Sequence, residues 1–141
     1  DASARRDIDS GKLAEPYVYA GSPLTTPADG TLAAGVICPD APVAADGRRT
    51  RLRRLFGSGF TVLTARSDRV AAARAACGDE LPCAVYALPG IDVDGVLAPA
   101  LRAAEDTVWL VRPDGHLAAV LPEFSPSALR AALIRAVGRP A

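Results

Sequence analysis

The clearest pattern of hydrophobic and polar positions lies near the carboxyl end of the chain. Thr107–Val111 is a run of β-branched and aromatic residues, and His116–Leu121 is a second apolar run. Between them, Arg112–Gly115 contains the proline, aspartate and glycine that tight turns use. This pattern predicts a β-hairpin.

A helix is expected directly after the hairpin. Ser125 stands where an N-cap belongs, Pro126 suits the first helical position, and Gly138 with Pro140 ends the element. The apolar positions between them recur at helical spacing, at Leu129, Leu133 and Val137. We therefore expect a helix with one face packed on the sheet.

The middle of the chain alternates between strand and helix patterns. Leu52–Phe56 predicts a short helical turn, ended by Gly57–Gly59, and Phe60–Thr64 predicts a short buried strand. Cys83–Leu88 predicts the next strand, and Leu97–Ala104 a helix with Leu97 and Leu101 on one face.

A helix is also predicted between the two buried strands. Asp68 can cap its first turn and Gly78 ends it. One face of this helix is marked by Val70, Ala73 and Cys77.

The predicted order is therefore β-α-β-α-β-β-α. Helical crossovers require parallel neighbours, whereas the final tight turn requires an antiparallel pair. A mixed four-stranded sheet with helices on both faces meets both requirements, and this α/β arrangement is the thioredoxin-like topology. A ferredoxin-like fold is the weaker alternative, since its final half would lack a hairpin. We expect the sheet core to contain Phe60, Val62, Leu63, Val85, Trp109, Val111 and Val120, with Leu129 and Leu133 packed over it.

The first part of the chain has a different character. Residues 1–31 mix proline, glycine and polar residues without a sustained period, which predicts an extended N-terminal linker or arm. The thioredoxin-like domain would then cover residues 32–141. Tyr19 and Leu24 are apolar enough that we expect them to anchor the arm on the domain or on a partner.

Composition narrows the possible partners. The 141 residues suit one domain, and sixteen basic and sixteen acidic residues cancel to a formal net charge of zero. No global field then attracts nucleic acid or an anionic membrane.

No apolar stretch reaches bilayer-spanning length and no signal-peptide pattern opens the chain, which favours a cytoplasmic protein. The lack of Met and the start at Asp1 suggest a segment of a longer polypeptide.

The expected topology allows a test for redox chemistry. A thioredoxin-like enzyme presents its nucleophilic cysteine just after the first core strand, at a helix N-terminus. Here that loop is Ala65–Asp68, which has no cysteine, and Ser67 has no base in suitable spacing to activate it. The proline that commonly precedes the third core strand is also missing, since Thr107 begins that strand. We therefore assign no catalytic, cofactor-binding or metal-binding residue.

The cysteines and the histidine do not change that assignment. Cys38, Cys77 and Cys83 are an odd set without a Cys-x-x-Cys pair, which is typical of reduced structural thiols. Cys77 and Cys83 flank residues 78–82 and could approach one another, so a pairing between them stays open. His116 is the only histidine, and no second pair of ligands at zinc spacing accompanies the cysteines.

A basic run is the remaining candidate for binding. Five arginines fall within residues 48–54, at Arg48, Arg49, Arg51, Arg53 and Arg54. They could contact a phosphate, but no aromatic side chains interleave with them as in nucleic-acid sites. A solvated or interdomain face is the favoured interpretation.

An ordered series of short motifs resembles one known family. The motifs are Ser10–Tyr17, Tyr19–Leu24, Pro39–Pro42, Gly57–Leu63 and Val111–Gly115. Together they resemble the C-terminal region of class A FAD-dependent aromatic-ring hydroxylases, in the phenol hydroxylase, 3-(3-hydroxyphenyl)propionate hydroxylase and polyketide hydroxylase branches. The resemblance runs across nearly the whole chain.

This resemblance implies a parent monooxygenase that uses FAD, NAD(P)H and O₂ to hydroxylate an aromatic ring. In such families the flavin and substrate sites lie in the preceding portion, so the resemblance implies no site residue here. The segment would be a non-catalytic packing or oligomerisation domain, whose partners would be the FAD- and substrate-binding portion of its own chain or, in a homodimer, a second copy.

An alternative function stays open at this stage. Pro39–Pro42 also resembles the opening of peroxiredoxins. The chain could then be an autonomous thioredoxin-like or peroxiredoxin-like redox protein, with Cys83 as the nucleophile and Cys77 as the resolving thiol.

Overall fold

A parallel pair of strands forms one side of the sheet in the computed structural model of this protein, which describes residues 32–79 and 82–138. These strands are β3 (Phe60–Thr64) and β4 (Cys83–Ala87), joined by a crossover through α1 (Val70–Cys77). β5 (Val108–Val111) lies antiparallel to β3 on its other side. β6 (Leu117–Leu121) then pairs antiparallel with β5.

The resulting sheet is mixed and four-stranded, with the order β4-β3-β5-β6. This order confirms the thioredoxin-like α/β topology predicted from the alternation of elements. The final helix, α4 (Pro126–Ala136), follows β6 as expected. Its N-cap is Ser125, whose Oγ accepts a hydrogen bond from the backbone N–H of Ala128 at 3.3 Å.

Helices cover both faces of the sheet, but in different ways. α1 and α4 pack side by side on one face. The other face is covered by two single-turn helices, α2 (Leu88–Ile91) and α3 (Leu97–Ala100), together with a hairpin. The core is therefore divided into two apolar clusters, one on each side of the sheet.

The two clusters differ from the predicted core in two respects. Leu129 and Leu133 of α4 pack over the face that carries Val62 and Leu110. Trp109 points to the opposite face, because neighbouring residues of a strand alternate sides. Phe60 was expected in the core but is only partly buried, since it is the first residue of its strand.

A hairpin that the sequence analysis missed precedes the sheet. β1 (Pro42–Ala45) and β2 (Arg48–Arg51) pair antiparallel around Asp46 and Gly47. Both turn residues have positive φ, 55° and 77°, which is the backbone that an Asp-Gly pair adopts in a tight hairpin. A 3₁₀ turn at Leu52–Leu55 follows, as predicted.

Several predicted boundaries shift by a few residues. Leu88 begins α2 instead of ending the preceding strand, and α3 stops at Ala100 instead of Ala104. The start of α3 is capped by Asp92, whose carboxylate oxygens accept the backbone N–H groups of Leu97 and Ala98, each at 3.0 Å. Leu97 and Leu101 are both buried, as expected.

Asp68 does not cap α1, so this expectation was wrong. A 3₁₀ turn at Ser67–Arg69 lies between β3 and α1 and shifts the start of the helix. The Asp68 carboxylate instead accepts two hydrogen bonds from Arg66, at 2.9 and 2.7 Å. An aspartate beside an arginine in a short loop gains a charged partner at little cost in chain entropy.

The chain enters the domain along the outer edge of the sheet. Gly35 N–H donates to Leu117 O at 2.7 Å, and Leu117 N–H donates to Val36 O at 2.8 Å. Ile37 forms an isolated antiparallel bridge with His116. These bonds cover the exposed edge of β6. The arm predicted over residues 1–31, with Tyr19 and Leu24, lies outside the described residues.

Candidate functional site

The loop at the carboxyl end of β3 is where a thioredoxin-like fold would place its nucleophile. Here it consists of Ala65, Arg66, Ser67 and Asp68. The loop is tied down by Thr64, whose Oγ1 donates to Arg66 O at 2.7 Å, and by Ala65 N–H, which donates to Thr107 O at 2.9 Å. Ser67 is exposed, and the loop offers no thiol.

An ion pair ties the end of this loop to the segment that leads into β5, the strand next to β3. Arg69 Nε and Nη2 donate to the two carboxylate oxygens of Asp106, both at 3.0 Å. The guanidinium carbon of Arg69 also lies 5.4 Å from the centre of the Phe124 ring. Phe124 N–H donates to Asp106 Oδ2 at 3.3 Å, so three segments meet at one carboxylate.

Hydrogen bonds within this cluster stabilise the charged forms of Asp106 and Arg69. The hydrogen bonds from Arg69 lower the pKa of Asp106, and the additional bond from the Phe124 N–H acts in the same direction. The bidentate bond to Asp106 raises the pKa of Arg69. The cluster is thus an ion pair at neutral pH that holds three segments together.

Thr107 occupies the position expected for the missing proline. Its side chain is buried, and its Oγ1 accepts a hydrogen bond from Ala104 N–H at 3.0 Å. Both ends of the loop are therefore occupied by structural hydrogen bonds. The geometry supports a rigid connection between β3, β5 and α4, and gives no arrangement of nucleophile and base.

Two cysteines meet at the opposite end of the sheet. Cys77 ends α1 and Cys83 begins β4, and their Sγ atoms lie 3.0 Å apart as free thiols. In the parallel pairing of β3 with β4, Cys83 lies beside Phe60 at the start of β3. The loop at residues 65–68 follows Thr64, which lies beside Ala87 at the other end of the pair. Four residues of strand, about 13 Å, therefore separate the thiols from the loop.

The third cysteine, Cys38, is buried on the other face of the sheet. Cys38 is 4% exposed and belongs to the cluster on the Trp109 side. Burial, with a smaller contribution from the Asp40 charge, raises the pKa of Cys38 to about 12.

The basic run lies on the hairpin that the sequence analysis missed. Arg51 Nε donates to Asp40 at 3.0 Å, and Arg49 pairs with Asp94 at 3.2 Å. The backbone N–H of Arg53 also donates to Asp40, at 3.0 Å, and its Nε lies 3.6 Å from the same carboxylate. All five arginines are exposed, which is compatible with the favoured interpretation of a solvated or interdomain face.

His116 lies in the turn between β5 and β6. Its backbone N–H donates to Asp114 Oδ1 at 3.0 Å, and its Nδ1 lies 3.3 Å from the same oxygen. Among residues 32–79 and 82–138, no three His, Cys, Asp or Glu side chains come together as metal ligands would. None of the helices in this part of the chain is long and apolar enough to cross a bilayer.

Comparison with known proteins assigns the domain. The sequence model of one protein family, the C-terminal domain of aromatic-ring hydroxylases, matches residues 31–140 of this chain. Aklavinone-11 hydroxylase, solved as a ternary complex with FAD and aklavinone, is similar with a TM-score of 0.64 and 29% identity, over 73% of this chain and 21% of that one. No curated protein matches the chain in sequence.

Two further structures contain a region with this fold. The flavin-dependent monooxygenase PieE, solved with FAD and substrate, matches with a TM-score of 0.60 and 25% identity, over 87% of this chain and 24% of that one. RebC with bound 7-carboxy-K252c, at 23% identity and a TM-score of 0.60, shares the fold over 90% of this chain and 22% of that one. The chain thus spans between a fifth and a quarter of the length of these relatives.

Proposed function

Because this chain belongs to the family of C-terminal domains of aromatic-ring hydroxylases, we propose that it is a non-catalytic packing or oligomerisation domain of an FAD-dependent monooxygenase. The parent protein would use FAD and NAD(P)H to hydroxylate an aromatic ring, and the domain itself would hold neither cofactor. Its partners would be the FAD- and substrate-binding portion of its own chain or a second copy of that chain. Residues 32–141 would form the domain, and residues 1–31 the connecting arm.

One observation carries this proposal. At the position where the fold would present a thiol, the loop at residues 65–68 has none, and the Arg69–Asp106 ion pair closes the end of the sheet. An ion pair with a bidentate geometry orients segments and does not activate a nucleophile. The flavin bound in aklavinone-11 hydroxylase and in PieE supports an FAD-dependent parent.

The autonomous redox protein gains no support as an alternative. Its two cysteines lie at the amino end of β4, far from the loop and its helix N-terminus. Cys77 ends α1, so it lies away from the helix N-terminus at which a thioredoxin-like enzyme presents its nucleophile. The family match and the similar structure are those of aromatic-ring hydroxylases.

The first experiment uses the 141-residue chain. We expect the purified chain to show no flavin absorbance and no catalysis of insulin reduction by dithiothreitol. Flavin absorbance after purification would contradict the absence of cofactor binding. Insulin reduction that disappears in a Cys83→Ser variant would contradict the non-catalytic assignment and favour the redox alternative.

The second experiment compares the parent hydroxylase with a version that ends before Leu32. A packing role predicts that the shortened enzyme loses FAD or thermal stability at unchanged mass. An oligomerisation role predicts a smaller mass by light scattering. A shortened enzyme with unchanged FAD content, mass and stability would contradict both roles.

A further inference from the structure

The Cys77–Cys83 pair is a feature that the proposed packing role does not use. The two residues are six positions apart and belong to different elements, because α1 runs back antiparallel to the strands and ends beside the start of β4. The contact between these elements belongs to the core, since Cys77 packs with Val85 and Ala73 in the cluster below α1 and α4. The fold therefore holds the two thiols together.

The distance between the thiols suits bond formation. Their Sγ atoms are 3.0 Å apart, and a disulfide requires about 2.0 Å. A closure of about 1 Å can be absorbed by side-chain rotation and by the short connection between the two elements. Neither cysteine has a competing sulfur neighbour, because Cys38 belongs to the cluster on the other face of the sheet.

Small molecules can reach the pair from solvent. A pocket of about 400 Å³ is lined by both cysteines, Arg74, Asp79 and Tyr86. Hydrogen peroxide is close to water in size, and one water occupies roughly 30 Å³ of liquid volume. The pocket is therefore large enough to admit a peroxide.

We propose that Cys77 and Cys83 form a reversible intrachain modification site, at which hydrogen peroxide converts the dithiol into a disulfide. This thiol chemistry is separate from the packing role and requires no cofactor.

The reaction balances in two steps. The Cys77 thiolate attacks one peroxide oxygen, the O–O bond breaks, and the released hydroxide takes a proton and leaves as water. Cys77 then carries a sulfenic acid. The Cys83 sulfur attacks the Cys77 sulfur, the S–O bond breaks, and a second water leaves with the Cys83 proton as the S–S bond forms. Two thiols are oxidised and one peroxide is reduced to two waters.

The surroundings of the two sulfurs assign Cys77 as the first to react. The hydrogen bond from the Cys83 thiol lowers the pKa of Cys77, and the nearby Arg130 charge acts in the same direction. Arg130 is held in place because its Nη1 donates to Cys77 O at 2.8 Å. The same contact with Cys77, together with burial, raises the pKa of Cys83, which makes it the resolving thiol.

The experiment exposes the full 141-residue chain to hydrogen peroxide, quenches it, and alkylates the remaining thiols under denaturing conditions. Trypsin cleaves after Arg74 and Arg102 and leaves both cysteines on one peptide, while Cys38 falls on another. We expect the first peptide to lose both labels and the mass of two hydrogens, and dithiothreitol to restore them. The Cys38 peptide should keep its label.

Two variants test the order of the steps. In Cys83→Ser the reaction should stop at the sulfenic acid, which dimedone traps on Cys77. In Cys77→Ser no disulfide can form, and the dimedone adduct on Cys83 should be lower than the adduct on Cys77 in Cys83→Ser, because burial still raises the pKa of Cys83 whereas the Arg130 charge lowers that of Cys77. Cys38→Ala is the matched control and should give the same disulfide as the parent chain.

The near-ultraviolet circular dichroism of Trp109 verifies that each variant is folded, and Cys83→Ala replaces the serine variant if it is not. Full alkylation of both cysteines after peroxide treatment of the folded chain would overturn the proposal. So would oxygen addition without S–S formation, or a disulfide found only between two chains on a non-reducing gel.

Discussion

Trp109 is the residue on which the packing of one sheet face depends most. It is fully buried in β5, beside Val111 and Leu63 and beneath the short helices and the hairpin. Trp109→Ala should lower the free energy of unfolding by about 3 to 5 kcal/mol, because it removes apolar burial and leaves a cavity. Denaturant titration followed by circular dichroism measures this change.

Trp109→Phe is the matched control for this prediction. The indole Nε1–H of Trp109 is buried and has no hydrogen-bond partner among the described residues. Phenylalanine keeps most of the apolar volume and removes that unpaired donor, so its cost should be clearly smaller than that of alanine. A shift within about 0.5 kcal/mol for Trp109→Ala would contradict the burial of this side chain.

Asp114 should make stability depend on pH in acid. Its hydrogen bond from Arg112, with a further bond from the His116 N–H, lowers the pKa of Asp114 to about 2. A carboxyl with a lowered folded-state pKa stabilises the fold above its unfolded value, and this contribution is lost as the pH falls toward the folded value. The urea midpoint should therefore fall between about pH 4 and pH 2.

Asp114→Asn tests the assignment of that pH dependence. Asparagine keeps the turn preference but cannot ionise, so the variant should have a lower midpoint at about pH 5 and a flatter decline below it. Glu123→Gln is the control, because Glu123 is exposed and forms no ion pair with any described residue. An identical acid profile for Asp114→Asn and the parent chain would rule out this contribution.

At the scale of elements, the connection between β3 and β4 depends on one close approach of the backbone. A Cβ on Gly59 would lie 2.5 Å from Pro82 O and 2.7 Å from Pro82 Cβ. Gly59→Ala must therefore separate the starts of the two strands, where Phe60 N–H donates to Pro82 O at 3.0 Å. We expect a loss of about 1 to 3 kcal/mol in unfolding free energy, measured by denaturant titration.

Gly90→Ala is the matched substitution elsewhere in the chain. A Cβ at Gly90, in α2, meets no atom within 4 Å. This variant should be neutral or slightly stabilising, since alanine favours helix over glycine. If Gly59→Ala and Gly90→Ala changed the unfolding free energy equally, the close contact with Pro82 would not explain the loss.

The elements also show which parts of the fold local patterns predict. The β5–β6 hairpin, the Ser125 cap and the strand at Phe60–Thr64 appear where the residue types placed them. The β1–β2 hairpin was missed, although Asp46-Gly47 is the turn signal that identifies it. Its β2 strand consists of three arginines and a threonine, so it has no apolar alternation that predicts a strand.

At the scale of the whole molecule, the arm remains a prediction. Both apolar clusters are built from residues of the domain, between Leu32 and Ala136, so removal of residues 1–31 should leave a cooperatively folded chain. If Tyr19 and Leu24 dock the arm on the domain or on a second copy, the deletion should lower solubility or change the oligomeric state. Light scattering and solubility assays measure both effects.

Hydrogen exchange gives the independent test of the arm. A docked arm protects the amides of Tyr17–Leu24 in the full chain, whereas an undocked one lets them exchange at the rates of an unstructured peptide. Unprotected exchange together with an unchanged mass after deletion would contradict docking.

The sequence by itself determined the four strands of the main sheet, the β5–β6 turn, the Ser125 cap and the family, because those features depend on residues within a few positions of one another. Alternation, helical spacing and turn composition act through local backbone preferences, and the motifs of the family are equally local. Only the tertiary structure decided which distant side chains meet. Arg69 and Asp106, which are 37 positions apart, form an ion pair where a thiol would stand, and Cys77 faces Cys83 at the other end of the sheet. Strand order and register bring these groups together, and both follow from burying two apolar faces at once, which no single stretch of sequence encodes.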